Sequence, residues 1–202
     1  WATVISQATA FITLFIHLQR TNPYIKIKKA DKYFDKTILK EIIKIGFPTG
    51  IQQSVIALSQ IFIIGIVAIF GSNALTAYSA ASRIESIALL LILNYSSALS
   101  SFVGQNYGAT MYSRVRKSLS HSLQITSIIS LITAIVFCCL GKEIMKLFSQ
   151  TPEVLEIGFD YLFIMGLFWI TLSAMNVFQS FFRGLGDTFY PMLISILSLW
   201  II

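Results

Sequence analysis

Eight polar side chains sit inside long apolar runs of this 202-residue chain: Gln52, Gln53, Gln60, Arg83, Glu85, Asn94, Asn176 and Gln179. Their types suit binding rather than bond-breaking. An amide donates and accepts hydrogen bonds, so it can glue helices together or line a polar cavity. Gln53 and Gln60 are seven apart and share one helical face, as do Gln52 and Ser59. Arg83, Ile87, Leu90 and Asn94 form one stripe, and Ser173, Asn176, Ser180 and Arg183 form another, with Gln179 beside it.

Glu85 is the most plausible titratable group, a candidate proton or ion site, because a carboxylate is short and snorkels poorly. Arg83 reads either as an anchor whose long side chain snorkels to the headgroups or as a cavity or gating residue. The two are two residues apart, face different ways and are not expected to pair. Asp160, His17 and His121 read as interfacial groups near segment ends. Cys138 and Cys139 are adjacent and point about 100° apart on a helix, so they read as packing residues rather than a disulfide.

Catalytic patterns are missing. No Cys or His cluster has metal-ligand spacing, and no P-loop or dinucleotide fingerprint occurs. "RGLGDT" sits at a helix exit rather than after a strand, which argues against a phosphate cradle. No cofactor and no enzyme activity is expected. With no ATP-binding motif, any pumping would be driven by an ion gradient or by a partner.

The elements that must position these groups are set by composition. The chain is 55% hydrophobic and 12% charged, about half the charge of a soluble domain. Lipid is therefore the expected surroundings. A helix needs about 20 apolar residues to cross a bilayer. Six candidate segments appear, at 2–18, 42–70, 74–103, 119–140, 157–182 and from 190 to 202. The fold class is an all-α integral membrane bundle. Trp1 and Ile201-Ile202 lie at the edges of apolar runs, so the chain reads as a fragment of a longer membrane protein.

Charge assigns the sides. Arg20, Lys26, Lys28, Lys29, Lys32, Lys36, Lys40, Lys44, Arg114, Arg116, Lys117 and Arg183 all fall on one side of six alternating crossings. Only Lys142 and Lys146 fall on the other. The positive-inside rule makes the first side cytoplasmic. The net charge of +6 is then topology, with no nucleic-acid partner implied. The basic linker also suits anionic headgroups.

Pro48, between Gly46 and Gly50 in "GFPTGIQQ", has two readings. It is either the first turn of a helix, where its missing N–H is harmless, or a bend that lets a membrane helix flex. Gln105 and Asn106 are expected to close the third segment.

Four motifs, "IGFPTGIQQS", "AYSAASRIESIA", "ALSSFVGQNYGA" and "FFRGLGDTFYPMLISILSLW", occur in this order and spacing. Together they resemble the C-terminal half of the multidrug and toxic compound extrusion (MATE) family. The resemblance implies a twelve-helix transporter of two six-helix bundles that exports organic, often cationic, compounds in exchange for sodium ions or protons. On that likeness, residues 1–19 are the last helix of the N-terminal bundle, 20–41 the cytoplasmic linker and 42–202 a truncated C-terminal bundle. The rest of the N-terminal bundle would be a partner within the same chain. Some members carry carboxylates in the seventh and tenth helices, but the stretches around Ile56 and Leu172-Ser173 hold none. The coupling-ion site is therefore expected outside these residues. Gln52, Gln53, Asn94 and Asn176 remain cavity-wall candidates from helical geometry, with a small organic substrate as the ligand.

Two other readings stand beside this one. A flippase for lipid-linked saccharides would favour a cationic cleft, and Arg83 is the only deep base. A membrane-embedded enzyme or scaffold would be marked by paired acids or histidines at mid-membrane.

Overall fold

In hydrocarbon no water satisfies a free N–H or C=O, so each apolar run closes its own hydrogen bonds as a helix. The structure, a computed structural model, describes residues 1–21 and 34–200. Among the described residues there are six helices: α1 Ala2–Thr21, α2 Lys36–Ile69, α3 Ser72–Gly108, α4 Tyr112–Met145, α5 Pro152–Gly184 and α6 Phe189–Trp200. All six expected segments are present, and α2 to α5 are each long and apolar enough to cross a membrane. The described residues divide into two compact units, Trp1–Glu41 and Ile42–Ile202.

The first unit holds α1, whose Thr9 and Thr13 hydroxyls donate to carbonyls of their own helix. The expected linker is only partly visible, because residues 22–33 lie outside the described ones. The helix that follows starts earlier than its expected segment, at Lys36 rather than Ile42, while the second compact unit starts at Ile42. Asp35 supplies the reason. Its Oδ1 accepts from the Thr37 N–H at 2.7 Å and the Ile38 N–H at 3.4 Å, capping the first turn.

In the second unit the helices outrun the membrane. α3 has 37 residues, about 55 Å at 1.5 Å per residue, against a hydrocarbon core of about 30 Å. Arg114, Arg116 and Lys117, expected in a loop, lie instead on the first turns of α4. The α3–α4 turn is only 109–111. Thr110 adopts a left-handed φ of 59° there, and the Met111 N–H donates to the Asn106 carbonyl at 2.8 Å. Asn106 thus closes the helix through its backbone, while its side chain donates to the Phe102 carbonyl. Gly71 separates α2 from α3 with φ 97°.

α5 packs along both α3 and α4. The contacts are close because small residues mark them. A Cβ on Gly184 would lie 2.6 Å from the Ser100 carbonyl oxygen and 2.8 Å from Val103 Cβ. Gly166 lies against Phe137 and Cys138 in the same way. Around these contacts Ile84, Ile92, Phe137, Leu162 and Trp169 form one apolar core, and Leu99, Val103, Val115 and Val177 a second toward the basic end. Cys138 is half-buried, Cys139 is exposed and both are free.

Two outcomes follow. Gly184→Ala should lower thermal stability by about 1–3 kcal/mol, since its new Cβ meets backbone. Gly158→Ala should be near neutral, because its Cβ meets the flexible end of Met145. Melting both variants in detergent compares them directly. Asp35 also carries a pH signature. Its two backbone hydrogen bonds hold its carboxyl below the usual aspartate value. Its cap is therefore intact above the ordinary carboxylate range and lost as pH falls through the depressed value. Protection of the Thr37 and Ile38 amides from hydrogen exchange should drop in that acid window, and at neutral pH in Asp35→Ala.

Candidate functional site

Gln52 is 2% exposed, although it lies in the apolar middle of α2. A buried amide must find partners, and Gln52 finds them on two other helices. Its Nε2 donates to Ser195 Oγ on α6 at 2.7 Å, to Gln179 Oε1 on α5 at 3.2 Å and to the Pro191 carbonyl at 3.5 Å. Gln179 Nε2 in turn donates to Ser195 Oγ at 3.3 Å. Two cavity candidates thus join in a closed polar knot that ties α2, α5 and α6. Ser195 completes it and escaped the sequence reading, because one serine among Leu and Ile has no partner visible in one dimension.

One turn before Pro48 a second tie crosses the same helices. Thr188, in the α5–α6 turn, donates to the Ile45 carbonyl at 3.0 Å, and the Thr49 hydroxyl donates to that carbonyl at 2.9 Å. Pro48 lies inside α2, far from its start, which excludes the first-turn reading. A proline at that depth leaves the Lys44 carbonyl without its usual donor.

The remaining amides stay open. Gln53, Gln60 and Asn94 are exposed on this unit. Asn94 Nδ2 donates to its own helix at Leu90, and half-buried Asn176 does the same at Leu172. Ser59, on the same face as Gln52, donates to the Val55 carbonyl of its own helix. The α5 stripe divides too: Ser173 and Ser180 are buried, and Arg183 is half-exposed.

Arg83 and Glu85 separate as expected. Arg83 is exposed, and the one ion pair among the described residues is Lys146–Glu143. Glu85 is half-buried and turns to α5, where the Tyr161 hydroxyl donates to its Oε2 at 2.6 Å. The Tyr78 ring meets the Tyr161 ring edge-on, with centroids 5.6 Å apart. Val67, Phe70, Ala74, Tyr78, Ile157 and Tyr161 line a cavity of about 420 Å³ there. Both tyrosines were missed, for aromatic residues fill every segment and carry no periodic signal of their own. A larger cavity of about 470 Å³ between α3 and α4 is walled by Ile84, Ile87, Leu91, Ile132 and Val136 and holds none of the candidates. Among the described residues, no group of three or more His, Cys, Asp or Glu could hold a metal ion.

The knot makes a quantitative expectation. Gln52→Leu and Ser195→Ala should each destabilise the bundle, with a coupling of about 0.6–1.7 kcal/mol between them. A double-mutant cycle on unfolding in mixed micelles measures that coupling.

Comparison with known proteins gives this arrangement its context. The MatE family model matches residues 48–202. The chain is 26% identical over 203 residues to the probable multidrug resistance protein YoeA of Bacillus subtilis, covering 99% of this chain and 44% of that one. It is 25% identical over 161 residues to the probable multidrug resistance protein NorM of Thermotoga maritima, covering 80% of this chain and 35% of the relative. The chain thus spans less than half the length of these relatives. A crystal structure of MATE in complex with MaD3S superposes with a TM-score of 0.82 at 20% identity, over 95% of this chain and 43% of that one, which shows the shared fold. A family match over three quarters of the residues, with the same helical fold beneath it, makes this chain a member of the MatE family of multi-pass membrane transporters.

Proposed function

We propose that the complete protein exports small organic, often cationic, compounds in antiport with sodium ions or protons, by alternating access of two helical bundles. Residues 42–202 form most of one bundle, and α1 belongs to the other. The basic ends of the helices lie in the cytoplasm and the protein resides in the cell membrane.

The observation that carries this reading is the split among the amides. Gln52 and Gln179 are joined in a knot, whereas Gln53 and Gln60 are exposed on α2, and Asn94, exposed on α3, bonds only to the Leu90 carbonyl of its own helix. An open amide against lipid forfeits hydrogen bonds at a cost of several kcal/mol. A face bearing such groups belongs against a wet cleft, where they can meet a polar or cationic ligand. Among the described residues Glu85 is the acid facing the interior of α3 and α5, and no pair of acids or histidines marks an enzyme. Pro48 and the Thr188–Ile45 tie fit a helix able to change its bend as the bundles rock.

Everted membrane vesicles containing the full-length transporter should accumulate ethidium when a sodium or pH gradient is imposed, and collapse of the gradient should stop accumulation. Gln53→Ala and Asn94→Ala should each raise KM by about two- to tenfold, the worth of one hydrogen bond. Leaving both out of the cleft would leave KM unchanged. Absence of gradient-driven accumulation in the parent protein would refute the antiport reading.

A further inference from the structure

We propose that Glu85, held by Tyr161 at the cavity Tyr78 lines, is a proton-binding site of this half of the transporter, loaded from the end opposite the basic residues. The proposal rests on the antiport reading and extends it by choosing the ion and placing a site within this half.

Position comes first. Glu85 lies thirteen residues into α3 from Ser72, about 20 Å along the helix. It falls within the apolar stretch 74–103, the part of α3 read as membrane-spanning. A lone anion at that depth is costly and either finds a counter-charge or takes up a proton. No counter-charge is at hand. On its own helix Arg83 is exposed and unpaired among the described residues, and Tyr78 is the other titratable neighbour. From α4, the wall beside Ile84 and Ala88 is Thr133, Val136 and Phe137. From α5, Tyr161 faces the carboxylate, while Asp160 is exposed and Glu153 is bonded to Asn73 Nδ2 at the helix end.

Both protonation states are provided for. When the carboxylate is charged, the Tyr161 O–H supports Oε2 with a short, charge-assisted hydrogen bond. When a proton arrives, it adds to Oε1, the neutral acid suits the apolar wall, and Tyr161 keeps its hydrogen bond. Release reverses the step, so one proton enters and one leaves with no other bond changed. One carboxylate and one phenol are a poor cage for a hard metal cation, which wants six or more oxygens. They are sufficient for one proton.

The route is the cavity of about 420 Å³ whose lining runs from Phe70 and Ala74, beside the α2–α3 turn, to Tyr78 and Tyr161. Tyr161 links Glu85, which is not itself on that lining, to a cavity on the side of the helix ends that carry Asn73 and Glu153, away from those that carry Arg114 and Arg183. In an antiporter, a proton taken up from that side would exchange for an exported cation.

The test uses the full-length transporter in proteoliposomes, with ethidium as substrate and either a pH or a sodium gradient imposed. Glu85→Gln keeps the shape and still accepts from Tyr161, yet holds no proton. It should bind ethidium while losing both pH-gradient-driven transport and the pH dependence of binding. Glu85→Asp should restore part of both. Tyr161→Phe should displace the pH midpoint without abolishing transport, which a purely structural tyrosine would not do. Infrared difference spectra should show a protonated carboxyl band in the parent that is missing from Glu85→Gln. An unchanged pH profile in Glu85→Gln, or a parent driven by sodium alone, would overturn the proton site and leave antiport standing. A parent driven by neither gradient would end both.

Discussion

The controlling constraint is that hydrocarbon offers no hydrogen bonds, so a polar group is satisfied by the protein, meets a wet space or is left unpaired at a cost, as the buried Ser96 Oγ, Ser130 Oγ and Trp169 Nε1 are. Gln52 shows the first outcome. Its amide is sealed by Gln179 and Ser195, and three helices that share few apolar anchors are held by one polar knot. Gln53, its neighbour in sequence and about 100° further round the helix, is left exposed. The same rule explains the many Ser and Thr hydroxyls that donate to carbonyls of the preceding turn, such as Ser86 to Ser82 and Thr133 to Ile129. They satisfy themselves locally and impose no register between helices.

What imposes register is close packing. Lipid tails are as apolar as leucine, so helices associate through contacts that let backbones approach. Gly184 meets Ser100 and Val103, and Gly141 and Gly166 admit Phe159, Leu162 and Phe137. α5 is thereby fixed to both α3 and α4, and the Phe137–Trp169 edge contact sits at the centre of that triangle. This rigid trio presents Tyr161 to Glu85. In contrast, α2 is tied by two polar links, the Gln52 knot and the Thr188–Ile45 bond, on either side of Pro48. A helix held by hydrogen bonds around a proline can shift by exchanging partners, where one held by interdigitated side chains must break its packing.

Much of this was legible in the residues. Each of the six apolar runs became a helix, and four of them, α2 to α5, are long and apolar enough to cross a membrane. Four motifs in register marked the family, and the separation of Arg83 from Glu85 followed from helical geometry. Helix ends were read less well. α2 starts at Asp35's cap and α4 at Tyr112, because a helix continues into water wherever caps and propensity allow, and hydropathy is blind to that extension. The amides were identified as a class, but their fates were not.

By itself, then, the sequence determined which stretches are apolar enough for lipid and which polar groups are out of place there, because those are properties of composition and of the 3.6-residue period. Only the tertiary structure decided which groups are spent on holding helices together and which remain exposed. That choice depends on the rotation of each helix about its axis and on what its neighbour presents at the same height. Ser195 reaching Gln52 and Tyr161 reaching Glu85 are contacts across 143 and 76 residues of chain, and no local pattern encodes such a meeting.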